Sequence, residues 1–147
     1  MSLKEQLTND MKEAMKAHEK ERLAVIRMVR GAVKQQEIDG KTELDDEGVI
    51  AVLSKEIKMR KDSLEEFQKG GREDLVAKTQ AEIDFLMPYM PAQFSEEEVR
   101  GLVKAAVEQT GASTAKDMGK VMGALMPKVK GRTDGKLVNA IVREFLR

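Results

Sequence analysis

The segment MGKVMGALMPKVKGRTDGKL, residues 118–137, restricts the fold of this chain more than any other stretch. Its apolar residues recur at the i, i+3, i+4, i+7 spacing of one helix face. They are Met118, Val121, Met122, Leu125 and Met126. This spacing predicts an amphipathic helix that packs one side against a hydrophobic core. Nowhere in the chain do polar and apolar residues alternate as they do in a strand.

Two glycines lie in the same predicted helix, one turn apart and beside the apolar face. Gly119 and Gly123 share a flank with Lys116 and Lys120. A glycine inside a helix costs roughly 0.5–1 kcal/mol relative to alanine. Two glycines at this spacing therefore indicate that something approaches the backbone closely. The favoured interpretation is a neighbouring helix, because small residues are ordinary at helix crossings, and the alternative is a ligand.

A proline and a cationic loop follow this predicted helix. Pro127 removes a backbone donor and disfavours helical geometry at Met126. The helix is therefore predicted to end at about Met126. The loop beyond it carries three cations, Lys128, Lys130 and Arg132.

The loop leads into a last predicted helix, with Thr133 or Asp134 at its N-cap. Free backbone N–H groups at a helix N-terminus favour anions, and the loop cations come directly before them. From Lys116 to the end, eight basic and three acidic residues give the tail a local charge of +5. The tail therefore combines accessible backbone with positive charge.

These residues carry a resemblance. The run MGKVMGALMPKVKGRTDGKLVNAIVREFL resembles the signature of the GatB/YqeY family. The upstream stretches LAVIRMVRGAVKQQEI and IDFLMPYMPAQFSEEEV are similar to the YqeY branch, so the whole chain resembles small stand-alone bacterial YqeY proteins. Its C-terminal third, about fifty residues, is similar to the tail domain of the B subunit of glutamyl/aspartyl-tRNA amidotransferase.

In that larger enzyme the tail contacts tRNA and other domains carry out the chemistry, so the resemblance implies RNA contact rather than catalysis. Pro127 departs from the subunit tails, in which a polar or basic residue is usual. The contact positions that the resemblance implies are Gly119, Lys120, Gly123, Lys128, Lys130, Gly131, Arg132 and Lys136. Lys116, on the same flank, joins them as a candidate RNA-binding residue.

Composition limits the classes of function. The 26 basic and 26 acidic residues balance, so any electrostatic binding must come from a local patch. The absence of cysteine excludes disulfides, thiolate metal sites and cysteine nucleophiles. No apolar run has the length of a signal peptide or a membrane span, and we expect a cytoplasmic protein without a membrane partner. Aromatic residues are 3% of the chain, so stacking of bases on exposed rings is not expected.

The predicted elements form an all-α protein with two parts. Two prolines within four residues, Pro88 and Pro91, mark the boundary. Residues 1–90 are predicted to form an N-terminal helical subdomain of about four helices, and residues 91–147 a C-terminal three-helix subdomain. Tyr89 is predicted to pack across the junction with its hydroxyl at the surface.

Charged residues on the N-terminal helices have mostly ordinary explanations. Arg27, Arg30 and Lys34 lie at i, i+3 and i+7. We expect acids of a neighbouring helix to pair with them, and the alternative is that they extend a basic binding surface. Glu56 and Arg60 form an i, i+4 pair of the kind that stabilises a helix by only about 0.2–0.5 kcal/mol.

No catalytic machinery is recognisable in the sequence. We find no P-loop, GxSxG elbow, HExxH pair or dinucleotide fingerprint. His18, the only histidine, is predicted to be an exposed residue at a helix end. Catalytic residues, metal ligands and cofactors are therefore not predicted.

Three interpretations of function remain. The first is a non-catalytic helical module that binds tRNA or another RNA through the tail, related to tRNA-dependent amidation. The second is an adaptor that docks on an acidic partner, such as a synthetase or amidotransferase complex. The third is an accessory role in carbon–nitrogen ligase activity with glutamine as the amido-nitrogen donor, as the family label suggests.

Overall fold

A computed structural model describes residues 1–147, and its regular structure is entirely helical. The prediction of an all-α fold is confirmed. Two short 3-10 turns, Met87–Tyr89 and Ala115–Asp117, connect longer helices. The seven α-helices are α1 Leu3–Lys16, α2 Lys20–Gly40, α3 Asp46–Lys69, α4 Glu73–Leu86, α5 Glu96–Thr110, α6 Met118–Val129 and α7 Gly135–Phe145.

The chain divides into two compact units, Met1–Met90 and Pro91–Arg147. The first unit contains α1 to α4, and the second contains α5 to α7. Each has its own hydrophobic core. None of the helices is both long enough and apolar enough to cross a membrane.

The first unit buries the inner faces of its four helices around an aliphatic core. Tyr89 also belongs to this core. Its hydroxyl donates a hydrogen bond to the Asp10 carboxylate on α1. Burial, with the neighbouring Asp10 charge, raises the pKa of Tyr89 because both disfavour the phenolate. The ring is held in the unit by its packing in the core and by this hydrogen bond to α1.

The second unit packs its three helices around small aliphatic side chains. Its buried residues are Val99, Val103, Ala106, Val121, Leu125, Val129, Val138, Ile141, Val142 and Leu146. The predicted apolar face of α6 is confirmed at Val121 and Leu125. Met126 does not belong to it, because its side chain is 43% exposed.

Side-chain caps set several helix boundaries. The capping boxes formed by Ser2 with Glu5 and by Ser95 with Glu98 are complete in both directions. Asp134 is the N-cap of α7 and accepts a hydrogen bond from a first-turn amide. Short polar side chains specify these ends because they satisfy N–H groups that the helix leaves free.

Pro127 does not end α6, contrary to the prediction. The helix continues through the proline to Val129, and the Lys130 amide still donates to the Met126 carbonyl at 3.0 Å. Pro127 lies in the last turn, so the lost bond is the single one that its nitrogen would donate to the carbonyl of Gly123. One lost bond near a helix end is tolerated because the following turn still closes.

Candidate nucleic-acid interface

The two glycines of α6 face open space. A Cβ atom placed on Gly119 or Gly123 would meet no atom within 4 Å, and both residues are exposed. The favoured interpretation of the sequence, a neighbouring helix packed on them, is therefore wrong within this chain. Met126, at i+7 from Gly119, lies on the same side of the helix and is also exposed. We call Gly119, Gly123 and Met126 the stripe. The two glycines lower the stability of the helix, and no other part of the chain packs against them.

One backbone acceptor on this stripe loses its regular helix hydrogen bond. Pro127 has no N–H, so the Gly123 carbonyl cannot receive the bond that residue 127 of a regular helix would donate. No side chain on Gly123 covers that oxygen. The Gly123 carbonyl therefore lacks its regular helix hydrogen bond, and the Pro127 ring lies next to it in place of the N–H.

Three lysines in α6 and the segments that flank it are free. Lys116, Lys128 and Lys130 are exposed and make no side-chain hydrogen bond or ion pair. Lys128 is nine residues after Gly119 and therefore lies about half a turn around the helix from it, at the other edge of the exposed surface. Their ammonium groups are therefore available to a ligand. A lysine is a flexible point charge well suited to a phosphate.

Lys120 is less available than those three lysines. Its Nζ lies 4.0 Å from Oδ1 of Asp117. The amides of Ser113 and Thr114 donate to the Asp117 carboxylate at 3.0 and 3.3 Å and lower its pKa, so this acid stays ionised. The pair is exposed and contributes little to stability, but a phosphate would have to compete with it.

Arg132 is a structural residue of the loop. Its guanidinium carbon lies 3.8 Å from the centre of the Phe94 ring, and its Nε donates to the Ala92 carbonyl at 2.9 Å. The Arg132 carbonyl in turn accepts from the Phe94 amide at 2.7 Å. These contacts tie the loop to the segment before α5. No local pattern could predict these contacts, because the partners are about forty residues apart in the chain.

The conformation of the same loop depends on Gly131. Its φ of 75° lies in the left-handed region that favours glycine. Its carbonyl accepts a hydrogen bond from Nε2 of Gln93 at 2.9 Å. The left-handed backbone therefore explains the glycine at position 131, which the resemblance implied as an RNA contact, without any role in binding.

The N-terminus of α7 is already occupied by an acid. The Asp134 carboxylate accepts from the Lys136 amide at 2.9 Å, and both residues have further interactions within the chain. A phosphate at this helix end would meet the Asp134 charge. The free lysines, rather than this helix terminus, are the groups that can receive an anion.

Residues 4–146 match the family model described as Yqey-like protein. The chain belongs to the YqeY-like family. One YqeY-like relative, "Altered inheritance of mitochondria protein 41, mitochondrial" of Pyrenophora tritici-repentis, is 34% identical over 146 residues, which cover 95% of this chain and 78% of the relative. The protein of the same name from Saccharomyces cerevisiae is 32% identical over 149 residues, covering 95% of this chain and 80% of the relative. That of Kluyveromyces lactis is 44% identical over 87 residues, 58% of this chain and 47% of the relative.

These YqeY-like relatives correct one expectation. They are mitochondrial proteins by name, which contradicts the expectation of a cytoplasmic protein. That expectation relied on missing cysteines and missing apolar runs, and neither feature distinguishes one compartment without disulfides from another. The relatives are also fungal, so they do not support the bacterial source that the resemblance implied.

Proposed function

We propose that this YqeY-like protein binds RNA, with tRNA as the first candidate, through the exposed side of α6 and the loop after it. We call this surface the tail face, and it consists of Lys116, Gly119, Lys120, Gly123, Lys128 and Lys130. The observation that carries the proposal is the pair of glycines in open space beside unpaired lysines. The resemblance of the tail to a tRNA-contacting domain gives the candidate ligand.

The chemistry of the tail face suits a ribose–phosphate backbone. Free lysines neutralise phosphates, and this term supplies most nonspecific affinity for nucleic acid. The missing side chains at Gly119 and Gly123 allow the sugar–phosphate chain to approach the helix backbone. The Gly123 carbonyl can accept a hydrogen bond from a ribose 2′-hydroxyl, a donor that DNA lacks. Recognition would then follow backbone chemistry rather than base sequence.

Titration of the purified chain against tRNA by fluorescence anisotropy, across a salt series, tests the proposal. We expect the logarithm of the binding constant to fall linearly with the logarithm of salt concentration. Three neutralised phosphates predict a slope of about −2 to −3. A DNA hairpin of similar length is the control and should bind more weakly. An absence of binding at low salt would contradict direct RNA contact.

Replacing Gly119 or Gly123 with leucine should abolish tRNA binding and leave the fold intact. The added side chain blocks approach to the backbone, while its Cβ meets no atom of the chain. Removing a helix glycine should raise thermal stability slightly, by about 0.5–1 kcal/mol for the alanine variants. Thermal melting and tRNA titration are the two measurements.

Gly101 provides the matched control. It is also exposed inside a helix, α5, and a Cβ there meets nothing within 4 Å. Gly101→Leu should therefore bind tRNA as the unchanged chain does. If the Gly119 and Gly123 variants unfold, these glycines are needed for helix packing. If the variants fold and bind tRNA as tightly as the unchanged chain, the stripe is not part of the RNA-binding surface.

A further inference from the structure

Helix α2 carries a second apolar seam on its exposed side. Five residues follow the alternating four- and three-residue spacing of a coiled-coil seam. They are Ala24, Met28, Gly31, Gln35 and Ile38, and all are exposed. Met28 is 58% and Ile38 60% exposed, which makes them two of the most exposed large apolar side chains in the chain. Single exposed apolar residues are ordinary, but Ala24, Met28 and Ile38 fall on one seam over two heptads, with Gly31 and Gln35 at the positions between Met28 and Ile38.

The opposite side of α2 is already used. Val25, Ile26, Val29 and Val33 are buried in the core of the first unit. A helix that serves only one core needs one apolar face and a polar outer face. Within the unit the seam has one polar contact, from Nη2 of Arg60 to the Met28 sulfur at 3.7 Å, and Met28 nevertheless stays largely exposed.

A basic flank runs beside this seam. Arg27 and Lys34 are exposed and have no ion pair, and Arg30, closer to the core, donates to the sulfur of Met11 at 2.9 Å. The expected acids of a neighbouring helix are therefore not there. Acids are not scarce in this unit, since residues 1–90 contain 19 acidic and 16 basic residues. Their position, rather than their number, leaves the flank unpaired.

We propose that the outer face of α2 docks an amphipathic helix of a partner protein with acidic flanks. The apolar side of that helix would pack along Met28 and Ile38, and its carboxylates would pair with Arg27 and Lys34. Gly31 lies at the centre of the seam, and a Cβ there would meet nothing within 4 Å. A large apolar side chain of the partner can fill that space.

Charge and shape favour such a partner over the two other occupants. An RNA backbone would use the cations but leave the exposed seam of Met28 and Ile38 unpacked. In an antiparallel pair of α2 helices the basic flanks would face each other, bringing Arg27 near Lys34 of the second copy. In a parallel pair Gly31 would face its own copy across an empty layer.

The probe is a synthetic helical peptide with leucine at both seam positions of each heptad and glutamate at both flanks. Glutamates at both flanks keep the peptide from pairing with itself. Titrated into the full chain and followed by anisotropy, it should bind saturably and more weakly in high salt. Arg27→Glu with Lys34→Glu should weaken binding by about tenfold or more. Met28→Ser with Ile38→Ser should do the same through lost packing.

Lys12 and Lys16 on α1 give the matched control, because they are also exposed. Their double change to glutamate should leave peptide binding unchanged, and a peptide with lysine at the flanks should not bind. Equal loss in the control, or no saturable binding, would overturn the proposal. A dimer in sedimentation that the α2 changes dissociate would assign the face to a second copy. Loss of tRNA binding with Arg27→Glu and Lys34→Glu, but not with the serine variant, would assign it to RNA.

Discussion

A chain with Lys116, Lys128 and Lys130 changed to alanine should lose most of its affinity for tRNA. These lysines are exposed and unpaired, so their removal takes away phosphate contacts without leaving a buried partner unsatisfied. Each lost phosphate contact should reduce the salt slope by about 0.7 to 0.9, and the three together should lower affinity by about 10- to 100-fold at moderate salt. Fluorescence anisotropy over the salt series measures both quantities.

Arg132 is left out of this variant for a structural reason. The sequence alone would group it with Lys128 and Lys130, as the third cation of one loop. Its guanidinium stacks on Phe94 and bonds to the Ala92 carbonyl, so Arg132→Ala would also disturb the loop. Its effect on binding could not be separated from an effect on the fold.

The matched control removes three other exposed lysines, Lys12, Lys16 and Lys55, from the first unit. The net charge of the chain changes by the same amount. We expect this variant to bind tRNA nearly as the unchanged chain does, since only local phosphate contacts set the salt slope. Equal losses in both variants would mean that overall charge, rather than the tail face, governs binding.

Local signals in the sequence were sufficient to predict most of the helices. Capping boxes, such as Ser95 with Glu98, and the left-handed Gly111 at the end of α5 act within one turn of the chain. Their partners are close in sequence, so their geometry can be inferred without the fold. The prediction that Pro127 ends α6 was wrong because the effect of a proline on a helix depends on how many turns follow it.

The candidate site depended on contacts that no local pattern reveals. The spacing of Gly119 and Gly123 fits both a helix crossing and an open surface, and only the packing of the unit distinguishes them. Arg132 looks like a third free cation until Phe94 is placed beneath it. The same holds for charge pairs, because spacing alone does not tell a buried pair from an exposed one.

Arg60 is the clearest case of such a pair. Its i, i+4 spacing from Glu56 suggested an ordinary surface pair, yet Arg60 is only 7% exposed. Its Nη1 lies 2.7 Å from the Glu56 carboxylate and also donates to the Glu56 carbonyl at 3.1 Å. Its Nε lies 3.4 Å from the Glu82 carboxylate on α4, close enough for an ion pair but not aligned for a hydrogen bond. One buried cation thus holds two acids on two helices.

Arg60→Met should destabilise the first unit by about 3 kcal/mol, at the lower end of the range for breaking a buried pair because Glu82 keeps some contact with water. The loss comes from leaving Glu56 and Glu82 charged without their cation, rather than from lost volume. Tyr89 is the only tyrosine, the chain has no tryptophan, and Tyr89 lies in the core of the first unit. Its fluorescence during urea unfolding therefore reports on that unit.

Neutralising both acids separates charge from packing. If uncompensated charge is the cause, Glu56→Gln with Glu82→Gln should recover most of the stability lost by Arg60→Met, since no buried charge then lacks a partner. Lys55→Met, an exposed change on the same helix, should alter unfolding by less than about 0.5 kcal/mol. A small loss for Arg60→Met, or no recovery with the two glutamines, would show that Arg60 acts as a surface residue despite its burial. The sequence's own interpretation of the pair would then have been correct.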